Sequence, residues 1–209
     1  MNIEPKAAGF PIRTFFDRAE LDPRLRWFCE PPAWRIDTTR RCLEVETGTG
    51  TDFWQRTHYG FSADNGHFLF AEVPSDFVLT ARVRFSPTNL YDQAGVLVRQ
   101  NSDCWIKAAV EHESAGPAHL GAVVTNGGYS DWSVQDFPRG PVDIALRVTR
   151  NGADFLLEYS VQPDDQWSPL RIAHLSLPAG QTMLMCGIYA CSPKCGGFRA
   201  GFPFLEIRT

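Results

Sequence analysis

The side chains with chemical potential fall into four clusters. They are Thr51-Asp52-Phe53-Trp54-Gln55-Arg56-Thr57-His58-Tyr59-Gly60, Tyr91-Asp92-Gln93-Ala94-Gly95, Trp105-Ile106-Lys107-Ala108-Ala109-Val110-Glu111, and Val123-Val124-Thr125-Asn126 with Tyr129-Ser130-Asp131-Trp132-Ser133. Flat rings beside amides, carboxylates and basic groups suit a polyhydroxylated ligand. A sugar offers an apolar C–H face for stacking and hydroxyls that both donate and accept, which Asp, Asn and Gln satisfy. The candidate ligand-binding residues are Trp54, Arg56, His58, Tyr59, Gln93, Arg99, Trp105, Lys107, Asn126 and Trp132. The candidate catalytic carboxylates are Glu111 with Asp131 or Asp92 converging across strands; retaining glycoside hydrolysis needs such a pair about 5–5.5 Å apart. Lys107 beside Glu111 is expected to keep that carboxylate ionised, which suits a base or a ligand anchor better than a general acid. Glu113, next to the Ser114-Ala115-Gly116-Pro117 turn, reads as solvated. The same residues can equally form a structural network, because Trp and Tyr anchor sandwich cores and their N–H and O–H then need buried partners.

Short strands must position these groups. Runs rich in β-branched and aromatic residues recur between Gly, Pro, Asn and Asp, the pattern of an all-β sandwich. They are Arg41–Glu46, His67–Val73, Phe77–Phe85, Ala94–Gln100, Trp105–His112, His119–Asn126, Trp132–Phe137, Asp143–Arg150, Asp154–Val161, Leu170–Leu177, Met183–Cys191 and Phe202–Ile207. No long stretch holds a helical period, a turn or two near Arg18–Trp27 aside. Residues 1–30 read as an irregular lead-in, with Pro5, Pro11 and Pro23 in it and Pro31 and Pro32 directly after blocking regular pairing. Without a repeat or linker, residues 1–209 read as one domain.

Two hairpins can be placed in register. Asn151-Gly152 is a two-residue turn signal that pairs Val148 with Phe155, Leu146 with Leu157 and Ile144 with Tyr159 on a buried face. Around Asn101-Ser102-Asp103, Val98 pairs with Ile106, Val96 with Ala108 and Ala94 with Val110. A one-residue slip would drive Lys107 into the core at a cost of several kcal/mol. The opposite face then carries Gln93, Arg99, Trp105, Lys107 and Glu111, with the small Gly95 and Ala109 leaving a depression between them.

Several blocks in this order resemble a known family: Asp52-Phe53-Trp54, Asp64-Asn65-Gly66-His67, Tyr91-Asp92-Gln93-Ala94-Gly95, Trp105-Ile106-Lys107, Glu111, Val123-Val124-Thr125-Asn126 and Ser130-Asp131-Trp132-Ser133. It is a domain-of-unknown-function family of concanavalin A-like lectin/glucanase architecture, with bacterial YesU-type and fungal regulation-of-enolase-like members. The resemblance runs from about Phe15 to Arg208 and implies a two-sheet antiparallel β-sandwich of jelly-roll type with a concave face. It brings no established reaction, so no catalytic residue is carried over.

Function classes narrow further on composition. The 209 residues carry 20 Lys and Arg against 24 Asp and Glu, a net charge of −4. That balance argues against a nucleic-acid binder, which needs a basic face. The N-terminus lacks a signal peptide's basic and apolar regions, and no apolar run is long enough to span a membrane, so a cytoplasmic location is expected. The six cysteines then read as reduced apolar fillers, and the C-x4-C-x3-C spacing of Cys186, Cys191 and Cys195 is not that of a zinc site. No nucleotide, dinucleotide or serine-hydrolase fingerprint occurs, so no cofactor or metal is expected. Three readings stand: a carbohydrate-binding or carbohydrate-active sandwich with a saccharide ligand, a glycoside-processing enzyme built on Glu111, and a non-catalytic regulator that binds a metabolic enzyme.

Overall fold

The computed structural model describes residues 9–161 and 166–209. In chain order its strands are β1 (Ile12–Thr14), β2 (Arg26–Phe28), β3 (Ala33–Asp37), β4 (Cys42–Glu46), β5 (Phe53–Gln55), β6 (Ser62–Asp64), β7 (His67–Val73), β8 (Val78–Phe85) and β9 (Gln93–Asn101). They continue with β10 (Cys104–Glu111), β11 (Ala118–Asn126), β12 (Tyr129–Phe137), β13 (Val142–Asn151), β14 (Asp154–Ser160), β15 (Ser168–His174), β16 (Leu184–Cys191) and β17 (Arg199–Arg208). Sheet A runs β15-β14-β13-β8-β17-β4-β3, with β1 also paired to β17; sheet B runs β12-β11-β10-β9-β16-β7-β2. All pairings in both sheets are antiparallel. The molecule is a two-sheet antiparallel β-sandwich of jelly-roll type, and no helix occurs among the described residues.

Alternation builds the main core. Leu79, Ala81 and Val83 of β8 and Ile144, Leu146 and Val148 of β13 point inward from sheet A, meeting Ala94, Val96, Val98, Ile106, Ala108 and Val110 from sheet B. Burying each larger aliphatic side chain contributes about 1.5–3 kcal/mol. The β9–β10 hairpin has the expected partners, Val98 with Ile106, Val96 with Ala108 and Ala94 with Val110. This sends the odd-numbered residues to the face of sheet B turned away from the core.

Three expectations need correction. The β13–β14 hairpin pairs Arg150 with Phe155, Val148 with Leu157 and Leu146 with Tyr159, a slide of two residues from the register expected around Asn151-Gly152. Asn151 and Asp154 close the strands instead, leaving Gly152-Ala153 as the turn, with Gly152 at φ 62° in the glycine-first arrangement. The slide leaves each side chain's face unchanged, and inward-facing Arg150 is satisfied by the carbonyls of Gly152, Ser75 and Thr182. Second, the N-terminal lead-in contributes β1 to the edge of β17 and β2 to the edge of β7; the segment near Arg18–Trp27 has no helix. Third, β5 and β6, which lie outside the runs expected to be strands, form a small hairpin of their own that lies over sheet B.

Candidate functional site

Strand register sets the outward face of sheet B as rows of side chains running across the strands. One row holds Cys191, Gln93, Glu111, His119 and Asp136. The next holds Phe28, Phe68, Tyr189, Gly95, Ala109, Gly121 and Val134. A third holds Arg26, Phe70, Gly187, Leu97, Lys107, Val123 and Trp132, and a fourth Glu72, Met185, Arg99, Trp105, Thr125 and Ser130. Gly95, Ala109 and Gly121 therefore stand side by side and sink the centre of the face. Gly121 is required there: a Cβ would come within 2.8 Å of Trp132 Nε1 and 2.9 Å of the Ser133 carbonyl oxygen. The indole of Trp132 thus lies across a strand that has no side chain beneath it.

The β5–β6 hairpin lies over the fourth row and over the Phe28–Tyr189 end of the second. Phe53 packs against Tyr189, Trp105 and Phe28 with ring centroids 5.9–6.2 Å apart, within a second small core that includes Phe68 and Leu97. The Gln55 backbone N–H donates to Ser130 Oγ at 2.9 Å, and Arg99 holds Asp64 at 2.6 Å with its guanidinium over Phe28. Between the strands the chain turns through Arg56 (φ 53°) and His58 (φ 60°), left-handed positions that cost L-residues about 1–2 kcal/mol each. This turn sets Tyr59 against Trp54, 5.4 Å between centroids, while Trp54 meets Trp132 edge-on at 6.4 Å.

What remains open is a pocket of about 550 Å³. Its floor is Gln93, Lys107, Ala109, Glu111, His119 and Gly121; Trp54, Tyr59, Phe61 and Trp132 form an aromatic wall, and Tyr91, Glu113, Pro193 and Lys194 close the other side. The floor is a fixed polar chain. Lys107 is only 6% exposed, and its ammonium donates to Phe53 O (2.9 Å), Gln93 Oε1 (3.0 Å) and Asp52 Oδ1 (3.3 Å). An ammonium has three protons, and these three acceptors match them. Gln93 Oε1 also accepts from Tyr189 OH at 2.9 Å, so its amide nitrogen is turned to donate to Glu111 Oε2 at 2.7 Å.

Glu111 behaves opposite to the expectation from its neighbour lysine. Burial pushes its carboxyl up to about 8, reinforced by the negative charges of Asp52 and Glu113, and Lys107 offsets only part of the rise. The ammonium is engaged with Asp52 and Gln93 instead of with Glu111 itself. At neutral pH the group is mostly a protonated acid able to donate into the pocket. Glu113, expected to be solvated, instead lines the pocket with Oε1 3.5 Å from His119 Nδ1. Lys194 stands over the Tyr91 ring at the rim, 5.4 Å from its centroid.

Of the candidates read from sequence, Trp54, Tyr59, Gln93, Lys107, Glu111 and Trp132 line this pocket. The others do not. Trp105 is fully buried in the second core and donates to Ser102 O. Arg99 is spent on Asp64. Arg56 lies over Tyr129, and His58 packs on Tyr59 outside the lining. Asn126 ties the two sheets together through His174 O and the Ser176 amide. The carboxylate pairs do not converge: Asp131 pairs with Val124 of the core-facing set and binds Arg171 at the sandwich edge. Asp92 is fully buried beneath the face, accepting from the Thr88 and Asn89 amides and the Ser192 hydroxyl. Asp52, Tyr91, Glu113, His119, Tyr189 and Lys194 escaped selection. Pairing β10 with β11 in register would have brought in His119 opposite Glu111, whereas Tyr189 reaches Gln93 from 96 residues further along the chain. Among the described residues no group of three or more His, Cys, Asp or Glu side chains is placed to hold a metal, and no helix is long and apolar enough to cross a membrane.

The fold is similar to that of a solved, functionally unknown protein from Saccharomyces cerevisiae, with a TM-score of 0.80, 33% identity and coverage of 89% of this chain and 96% of that one. It is also similar to the Bacteroides ovatus xyloglucan PUL GH43B structure, at a TM-score of 0.75 and 18% identity; 99% of this chain covers 40% of that one, a likeness of fold. In sequence the chain is similar to "Regulation of enolase protein 1" of Saccharomyces cerevisiae, 41% identical over 161 residues that make up 77% of this chain and 78% of the relative. The family model described as "Protein of unknown function (DUF1349)" matches residues 27–209, and the chain belongs to that family.

Proposed function

We propose that this protein binds a neutral saccharide in the pocket on the outer face of sheet B. The observation that carries the reading is one cavity that joins the Trp54–Tyr59–Trp132 aromatic wall to the Gln93–Glu111–His119 polar floor. The wall suits the C–H face of a pyranose, and the floor offers donors and acceptors to its hydroxyls. With Glu111 mostly protonated near pH 7, the other charges lining the pocket are the carboxylates Asp52 and Glu113 and the ammoniums Lys107 and Lys194, a balance that favours an uncharged ligand. The carboxylate pairings of Glu111 with Asp131 or Asp92 are not supported, since both partners face away from it. Isothermal calorimetry against neutral and acidic sugars tests this. We expect a neutral sugar to bind wild type and to bind Trp132→Ala at least about tenfold more weakly, a loss of about 1.4 kcal/mol; no heat from any sugar would refute it.

A second reading follows from the printed name of the relative at 41% identity, by which the chain would act on enolase. The aromatic rim of Tyr59 and Phe61, 56% and 46% exposed, is the surface such a partner would meet. Co-elution of the purified pair in size-exclusion chromatography supports this reading, and its absence sets it aside.

A further inference from the structure

The pocket has one closed end and one open end, and that asymmetry bears on how a saccharide would enter it. Resting on the saccharide reading above, we propose that the pocket takes the terminal unit of a chain, and not a stretch of its interior. A polymer bound through its interior must pass across the strands and leave on both sides. From Gly95 the second row continues into Tyr189, Phe68 and Phe28, and Phe53 lies on that path, 5.9 Å from Tyr189 and 6.2 Å from Phe28 by ring centroid.

This cover is fastened at several points. Lys107 donates to the Phe53 carbonyl, Arg99 holds Asp64, and Ser130 Oγ accepts from the Gln55 backbone N–H. Lifting the hairpin would expose the second core and strip partners from two buried cations, so passage beneath it is closed. In the other direction the row ends beyond Gly121 at Val134, 46% exposed, on the edge strand β12, and the Trp132 indole lies over Gly121 as a platform at that end. A chain stacked on that indole can leave over the edge toward solvent.

Volume agrees with a dead end. A cavity of about 550 Å³ lies within the range that takes one small ligand, not an extended polymer.

The test uses the intact wild-type protein and three soluble ladders, xylo-, cello- and malto-oligosaccharides from the monosaccharide to the hexasaccharide, read by calorimetry or ligand-observed NMR. The expected result is that, on whichever ladder binds, affinity reaches its plateau by the disaccharide. On that ladder, derivatives blocked at one particular end should lose binding while those blocked at the other keep it. Affinity that climbs with every unit to the hexasaccharide, or indifference to blocking either end, would overturn end recognition while leaving a saccharide site intact. Silence across all members of all three ladders, monosaccharides included, would instead remove the saccharide reading on which the inference rests.

Discussion

Replacing Glu111 by Gln should raise stability by an amount that grows with pH. The carboxyl's folded-state value of about 8 lies some 3.5 units above its ordinary 4.5. At 1.36 kcal/mol per unit this corresponds to about 5 kcal/mol. The folded protein holds a proton that the unfolded chain releases from about pH 4.5 upward, so the unfolded state binds fewer protons and stability falls as pH rises. The group's contribution is complete below pH 4.5 and is lost as pH rises through 8. Contact with pocket water reduces the size of the effect, and we expect a difference of about 2–5 kcal/mol at pH 8. For a chain of this length that is roughly 5–15 °C in Tm. Gln keeps the acceptor that Gln93 requires and removes only the ionisation. The assay is denaturant unfolding of wild type and Glu111→Gln across this pH range. Parallel curves would refute the reasoning, as would a wild type that gains on the variant with rising pH, the behaviour of a carboxylate held ionised by Lys107.

Lys107→Met should cost about 1–3 kcal/mol, because it takes the cation from the part-buried Asp52 carboxylate and a donor from the Phe53 and Gln93 oxygens; unchanged stability in urea unfolding would contradict the fastening role. Gly121→Ala should cost about 1–3 kcal/mol and shift tryptophan fluorescence, since the new methyl meets Trp132 Nε1 and the Ser133 carbonyl; unchanged emission and stability would show that the indole does not lie there. His67, held below its ordinary value mainly by burial, accepts from the Gly48 amide and donates to Cys29 O. The unfolded chain takes up its proton first, so this contribution is present above pH 6.5 and lost as pH falls below it. A Glu111→Gln protein should therefore weaken on acidification from pH 6.5, a limb that His67→Gln flattens.

How far the sequence was legible follows from which errors side-chain parity can detect. A one-residue slip in β9–β10 would bury Lys107, so Val98–Ile106, Val96–Ala108 and Ala94–Val110 could be paired on paper. A two-residue slide in β13–β14 leaves every face unchanged, and only the turn decides it; Gly152 took the first turn position where Asn151 was expected. The depression at Gly95 and Ala109 was readable, but its cover was not. Phe53 and Trp54 find partners in β10, β12 and β16, contacts that no local pattern announces. That cover turned Trp105 and Arg99 from candidate ligand contacts into buried structure. It also desolvated the floor enough to make Glu111 an acid, where charge proximity alone pointed to a carboxylate.

The most direct test of the central claim is side-chain NMR of the six tryptophans during titration with neutral monosaccharides. The account predicts that for at least one sugar the indole N–H signals of Trp54 and Trp132 move together and saturate, while those of Trp27, Trp34 and Trp167, none of which lines the pocket, stay in place. Movement confined to tryptophans outside the pocket, or no saturable shift at Trp54 and Trp132 with any sugar, would contradict it.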